Sequence, residues 1–112
     1  EGASVPRCIE LKAKYLTALG KNQDALAVYE NIYKKYSSFE NHSDALFMMA
    51  FIYENNLNNK AQAELNYRKY LEEFPNGDFA KDAKFSIDNM SKTPEELMEM
   101  FKKMNEETSN PE

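Results

Sequence analysis

The chain repeats itself. Leu19-Gly20, Ala25, Tyr29, Tyr33 and Tyr36 return 38 positions later as Leu57-Asn58, Ala63, Tyr67, Leu71 and Phe74, each keeping its chemical character. A weaker echo at the same interval links Asp44-Ala45, Phe47 and Met49 to Asp82-Ala83, Phe85 and Ile87. Steps of three or four residues within each set put the side chains on one face of an α-helix. A unit of this length cannot bury its apolar face alone and must stack on its neighbours. The repetition therefore predicts an all-α superhelical stack whose function lies on an extended surface rather than in an enzyme pocket.

Punctuation divides the chain into about six antiparallel helices. The first runs from Pro6 to Leu19 and closes on Gly20, a residue that tolerates the left-handed backbone of a helix end. The second covers Gln23 to Tyr36, with Ala25, Tyr29, Ile32, Tyr33 and Tyr36 inward. Ser43 is the expected cap of a third, whose body from Asp44 to Asn56 turns Leu46, Phe47, Met49, Ala50 and Tyr53 to the core. Asn58 then stands where Gly20 stood. The fourth spans Lys60 to Phe74 and is stopped by Pro75-Asn76-Gly77; the fifth covers Asp78 to Met90. Thr93-Pro94-Glu95-Glu96 opens the sixth as a capping box, followed by the stripe Leu97, Met100, Phe101 and Met104. The expected organisation is a single domain over 1–107, with units at about 6–38, 43–76 and 78–106 and a flexible tail at 108–112. Three hairpins make the stack, the last a capping pair in which the sixth helix lies over Phe85 and Ile87 of the fifth.

Composition narrows the function classes. The net charge of −5 comes without any cluster of Lys or Arg, so the electrostatic attraction behind nucleic-acid binding is missing. No stretch approaches the roughly 20 apolar residues of a membrane span. The start at Glu1-Gly2, without Met, suggests that an upstream segment was removed. Catalysis on a helical scaffold needs clustered His, Cys or carboxylates. Here His42 is the single histidine, set in an expected loop, and the pairs Glu72-Glu73, Glu95-Glu96 and Glu106-Glu107 point about 100° apart on a helix. No motif for a metal, a cofactor or a phosphate is present, and the reading is non-enzymatic. The single cysteine, Cys8, shares an apolar register with Leu11, Tyr15 and Leu19 and is expected to be a small buried hydrophobe.

Ala63-x3-Tyr67 followed by Pro75, with Ala50 and Tyr53 upstream and Leu19-Gly20, Ala25 and Tyr29 in the first unit, resembles the tetratricopeptide repeat (TPR). Ser37 stands where that pattern has proline, and the 38-residue period exceeds the usual 34. The stretches 44–55, 70–75 and 89–97 are similar to the C-terminal part of bacterial cell-envelope TPR proteins, such as the periplasmic partner of the Tol-Pal system and the lipoprotein helpers of outer-membrane assembly. That likeness implies an exported, periplasmic or outer-membrane-associated protein-binding scaffold with no catalytic residues.

Such a scaffold binds a partner protein or peptide on the inner face of its first, third and fifth helices. Leu46 to Tyr53 is apolar in every direction, so the third helix is either the centre of the stack or partly an interface. Phe51 exceeds what packing on the fourth helix needs, and Phe47, Phe51, Glu54 and Asn55 are the candidate contacts, with Phe47 also readable as core. No lysine and asparagine set matches the carboxylate clamp of chaperone-binding repeats. The rival reading is a structural module, a cap or a homo-oligomerisation unit of a larger envelope protein.

Overall fold

The computed structural model describes residues 4–109. Among them are six helices and no strand: α1 (Ser4–Ala18), α2 (Asn22–Lys35), α3 (His42–Asn55), α4 (Lys60–Glu73), α5 (Ala80–Asn89) and α6 (Pro94–Ser109). Glu1-Gly2 and the end of the expected tail, 110–112, lie outside the described residues, while Thr108 and Ser109 close α6.

The helix ends follow the local chemistry. Gly20 takes φ +78°, and the amide of Lys21 reaches back to the Leu16 carbonyl at 2.9 Å, which closes α1. Asn58 takes φ +52° at the equivalent place after α3, the one non-glycine among the described residues with positive φ. The Asn59 side chain then accepts the Gln62 amide at 3.2 Å and starts α4. At α6 both bonds of the capping box form, Thr93 amide to Glu96 carboxylate at 2.9 Å and Glu96 amide to Thr93 hydroxyl at 3.1 Å.

Each of the first four helices packs on the next. Ala13, Ala25, Ala50, Ala63 and Ala83 are wholly buried, and their small side chains are what lets neighbouring helices approach closely. Around them Tyr29, Tyr67, Tyr70, Ile32, Leu46 and Ile52 lose essentially all contact with solvent. Burial of a large side chain of this kind contributes about 1.5–3 kcal/mol. Phe47 is the hub of the second hairpin: it stacks on Phe79 at 4.4 Å between ring centres and meets Tyr67 at 5.6 Å and Tyr70 at 6.0 Å. The Tyr70 hydroxyl accepts the Phe79 amide at 3.0 Å and ties the Pro75-Asn76-Gly77 turn to α4.

Four expectations fail. In α1 the buried face is Pro6, Ile9, Ala13 and Leu16, whereas Cys8, Leu11, Tyr15 and Leu19 face outward. Both sets are spaced for one helix face, and the set that carries Ala13 at the crossing wins because it allows the closer approach. At the start of α3, Ser43 is inside the helix and Asn41 precedes it without a side-chain bond to the backbone. His42 is not a solvated loop residue: its Nδ1 lies 3.0 Å from the Phe39 carbonyl and its ring meets the Phe74 ring edge-on at 5.3 Å. Finally, α6 does not lie along α5 as a cap. Phe85 on α5 and Met98 and Phe101 on α6 remain exposed.

Candidate functional site

The centre of the stack is α3, which packs on α2 and on α4. Leu46, Met49 and Tyr53 of α3 face the groove between those two helices, beside Tyr33 of α2 and Gln62, Asn66 and Lys69 of α4. That groove is closed over by a Tyr33 hydroxyl bond to the Glu73 carboxylate and by the Lys69 ammonium 5.0 Å above the Tyr33 ring. The opposite side of α3 is set by spacing alone: Asp44, Met48, Phe51 and Asn55 follow at steps of four, three and four residues.

This side is where the surface chemistry collects. Phe51 is 41 % exposed although it sits at the middle of the most buried helix. Asn55 is exposed, and its side-chain amide donates to the Phe51 carbonyl at 3.2 Å. Met48 is half-buried at the edge of the core. Asp44 opens the face. Partial burial, then the carboxylates of Glu10 on α1 and Asp78 ahead of α5, push its pKa above the ordinary carboxylate value, with Lys14 and His42 opposing. Glu10 is itself held by the Asn41 amide at 3.4 Å. Asp44 thus has acidic neighbours from α1 and from the approach to α5, and it shares its side of α3 with the exposed Phe51 ring.

The four residues singled out by the sequence separate into two groups. Phe51 and Asn55 share this surface. Phe47 is 8 % exposed and stacked on Phe79, so it is core and cannot touch a partner. Glu54 is half-buried and accepts the Tyr67 hydroxyl at 2.7 Å, which makes it an internal bond of the α3–α4 hairpin. Burial, then that bond, hold the Tyr67 hydroxyl well above the ordinary tyrosine pKa. Glu10 and Asp78 escaped the sequence reading because they are 34 residues on either side of Asp44, and only the tertiary fold brings them near it.

Among the described residues no group of His, Cys, Asp or Glu is arranged to hold a metal ion, and no helix is long and apolar enough to cross a membrane. Searches of curated proteins and of solved structures give no match to the chain. Residues 44–77, which comprise α3, α4 and the turn toward α5, match the family model of the tetratricopeptide repeat. The all-α stack is therefore TPR-like, and its central hairpin is the part that matches the tetratricopeptide repeat.

Proposed function

We propose that this domain is a non-catalytic protein-binding scaffold that receives an extended segment across α1, α3 and α5. The observation that carries the reading is the exposure of Phe51 on the face of α3 turned away from α2 and α4, while Phe47, one turn before it, is buried. An aromatic ring left half in water and bordered by polar groups is the usual anchor of a peptide site. The carboxylates of Asp44, Glu10 and Asp78 select for a segment carrying Lys or Arg near its apolar anchor, in keeping with a net charge of −5. Association is faster at low salt for the same reason. Tetratricopeptide repeats generally mediate contacts between proteins, which supports the class of function. The likeness of 44–55 and 70–75 to cell-envelope repeat proteins makes an envelope protein the first partner to test.

The experiment is a crosslinking pull-down from the native cell with the parent domain, Phe51→Ala and Asp44→Lys. Phe51 is exposed and Asp44 partly so, and circular dichroism of each variant checks that the fold is kept. Loss of the same partner by both variants supports the site. Equal recovery of every partner by all three removes this face from consideration.

A further inference from the structure

Two apolar helix faces are left without cover, and they are at opposite ends of the order in which the helices pack. On α1, Leu11 and Tyr15 are each 65 % exposed, with Cys8 exposed and Leu19 more than half exposed on the same strip. On α6, Met98 is 72 % and Phe101 50 % exposed. The molecule is an elongated body of 54 × 29 × 24 Å, and α1 and α6 are not packed on one another, so neither face covers the other within one chain.

Their charges are opposite. α1 carries Arg7, Lys12 and Lys14 against Glu10 alone, and Glu10 is turned inward to Asn41. Lys12 and Lys14 are exposed on either flank of the Leu11–Tyr15 strip. α6 carries five glutamates against two lysines, and its first half holds only acidic charges, including the exposed Glu95 and Glu99. We infer that α6 of one copy docks on the outward face of α1 of a second copy. Phe101 and Met98 meet Leu11 and Tyr15, and the glutamates of the first half of α6 meet Lys12 and Lys14. A helix in that place occupies the position that the second helix of a preceding hairpin takes in a stacked array, so the contact continues the packing already seen from α1 to α5. Two reciprocal contacts close a dimer; a single contact, repeated, gives a chain of copies.

The surface used meets the Phe51 face only at Lys14, which lies near Asp44; the apolar anchors of the two proposals are distinct and are tested by different substitutions. The test is the mass of the full chain by sedimentation and by light scattering across a concentration series. The parent associates, and raising salt from about 0.01 M to about 0.1 M, which shortens the screening length from ~30 Å to ~10 Å, weakens it. Phe101→Asp and Leu11→Asp each weaken it about ten-fold or more, the range for loss of an interface anchor. Both sites are exposed, so the monomer fold is retained in each. A second readout uses Cys8: in Met98→Cys, mild oxidation produces a disulfide between Cys8 of one copy and the new thiol of another, while Leu65→Cys, an exposed position on α4, produces none. A monomer at every concentration overturns the inference. So does association unaffected by either substitution, or a crosslink that joins only Cys8 to Cys8.

Discussion

The two hairpins, α1–α2 and α3–α4, share one backbone plan and fill it differently. Shifting by 38 residues carries the turn after α2 onto the turn after α4: Phe39 amide to Tyr36 carbonyl and Gly77 amide to Phe74 carbonyl are both 2.9 Å. In the first unit the helix supplies Ile32 and the turn supplies Phe39, which is buried. In the second the helix supplies Tyr70 and the turn supplies Gly77, where a Cβ would overlap the Tyr70 hydroxyl. Bulk moves from turn to helix while the backbone stays. The same shift pairs Tyr29 with Tyr67 and Leu16 with Glu54. Tyr67 therefore has a carboxylate for its hydroxyl, and Tyr29 has none: its buried hydroxyl finds no hydrogen-bond partner among the described residues, and the Thr17 hydroxyl donates to the Ala13 carbonyl. Repetition conserves shape at the helix crossing more strictly than it conserves polar bonds, and the second unit, which carries the aromatic cluster and Pro75, is the one that matches the tetratricopeptide model.

The largest expected effect comes from emptying the second crossing. Tyr67→Ala removes a wholly buried ring that touches Phe47 and leaves the Glu54 carboxylate without its donor. A cost of about 3–5 kcal/mol follows for a buried aromatic, against a total stability of about 5–15 kcal/mol for a domain. A thermal melt of this variant should show the domain largely unfolded near physiological temperature. A melting curve superimposable on the parent's would break the equivalence between the crossing and the stability of the stack.

Next comes the exchange of bulk. Gly77→Phe alone forces a side chain into space held by Tyr70 and costs about 1–3 kcal/mol as an overpacked site, or more. Tyr70→Ile alone opens a cavity. Together they rebuild the Ile32–Phe39 arrangement, so the double variant should be more stable than the sum of the singles by about 0.5–3 kcal/mol, the range for contacting residues. Denaturant unfolding of the four proteins measures this coupling, and additivity would show that the two turns are alike in backbone only.

Equivalent tyrosines should respond with opposite sign to loss of the hydroxyl. Tyr29→Phe relieves a buried, unbonded group and raises stability by up to about 1 kcal/mol; Tyr67→Phe removes the bond to Glu54 and lowers it by about 1–2 kcal/mol. The pH dependence sharpens this. Burial, then the nearby Glu10 carboxylate, raises the Tyr29 hydroxyl to about 12 in the folded chain. Unfolded tyrosine loses its proton near pH 10. Between these values the unfolded state binds fewer protons than the folded one, so stability falls as pH rises. Tyr29→Phe should flatten part of that fall. Urea midpoints at neutral pH and above pH 10 would test both, and shifts of the same sign in the two variants would remove the distinction.

These contrasts also mark what the sequence could reveal. The 38-residue interval, the burial of Ala63 and Tyr67 and the capping box at Thr93 follow from local spacing and local hydrogen bonds, so they are legible without tertiary context. The orientation of α1 is not. Cys8–Leu11–Tyr15–Leu19 and Pro6–Ile9–Ala13–Leu16 are equally periodic, and the choice depends on how closely α2 can approach. Phe47 and Phe51 present the same problem one turn apart: only the place of Phe79, 32 residues beyond Phe47, decides which ring is covered. The place of α6 was misread because its apolar stripe predicts that it needs a partner without saying which surface provides one.

The smallest effect tests the two helix ends. Gly20 and Asn58 both hold positive φ, +78° and +52°, at equivalent turns. Glycine enters that conformation without steric cost but loses more chain entropy on folding; asparagine is strained there yet loses less. The two terms are each of order 1 kcal/mol and oppose one another. Asn58→Gly should therefore gain, and Gly20→Asn lose, no more than a few tenths of a kcal/mol, and a variant carrying both should melt within a degree or two of the parent. Gly20→Ala is the control: alanine is strained at φ +78° and has no side-chain oxygen to bond locally, so it should lose about 1 kcal/mol although nothing within 4 Å obstructs its Cβ. If Gly20→Ala proved as harmless as Gly20→Asn, the left-handed turn would not be what ends α1, and the correspondence of Gly20 with Asn58 would be one of sequence alone.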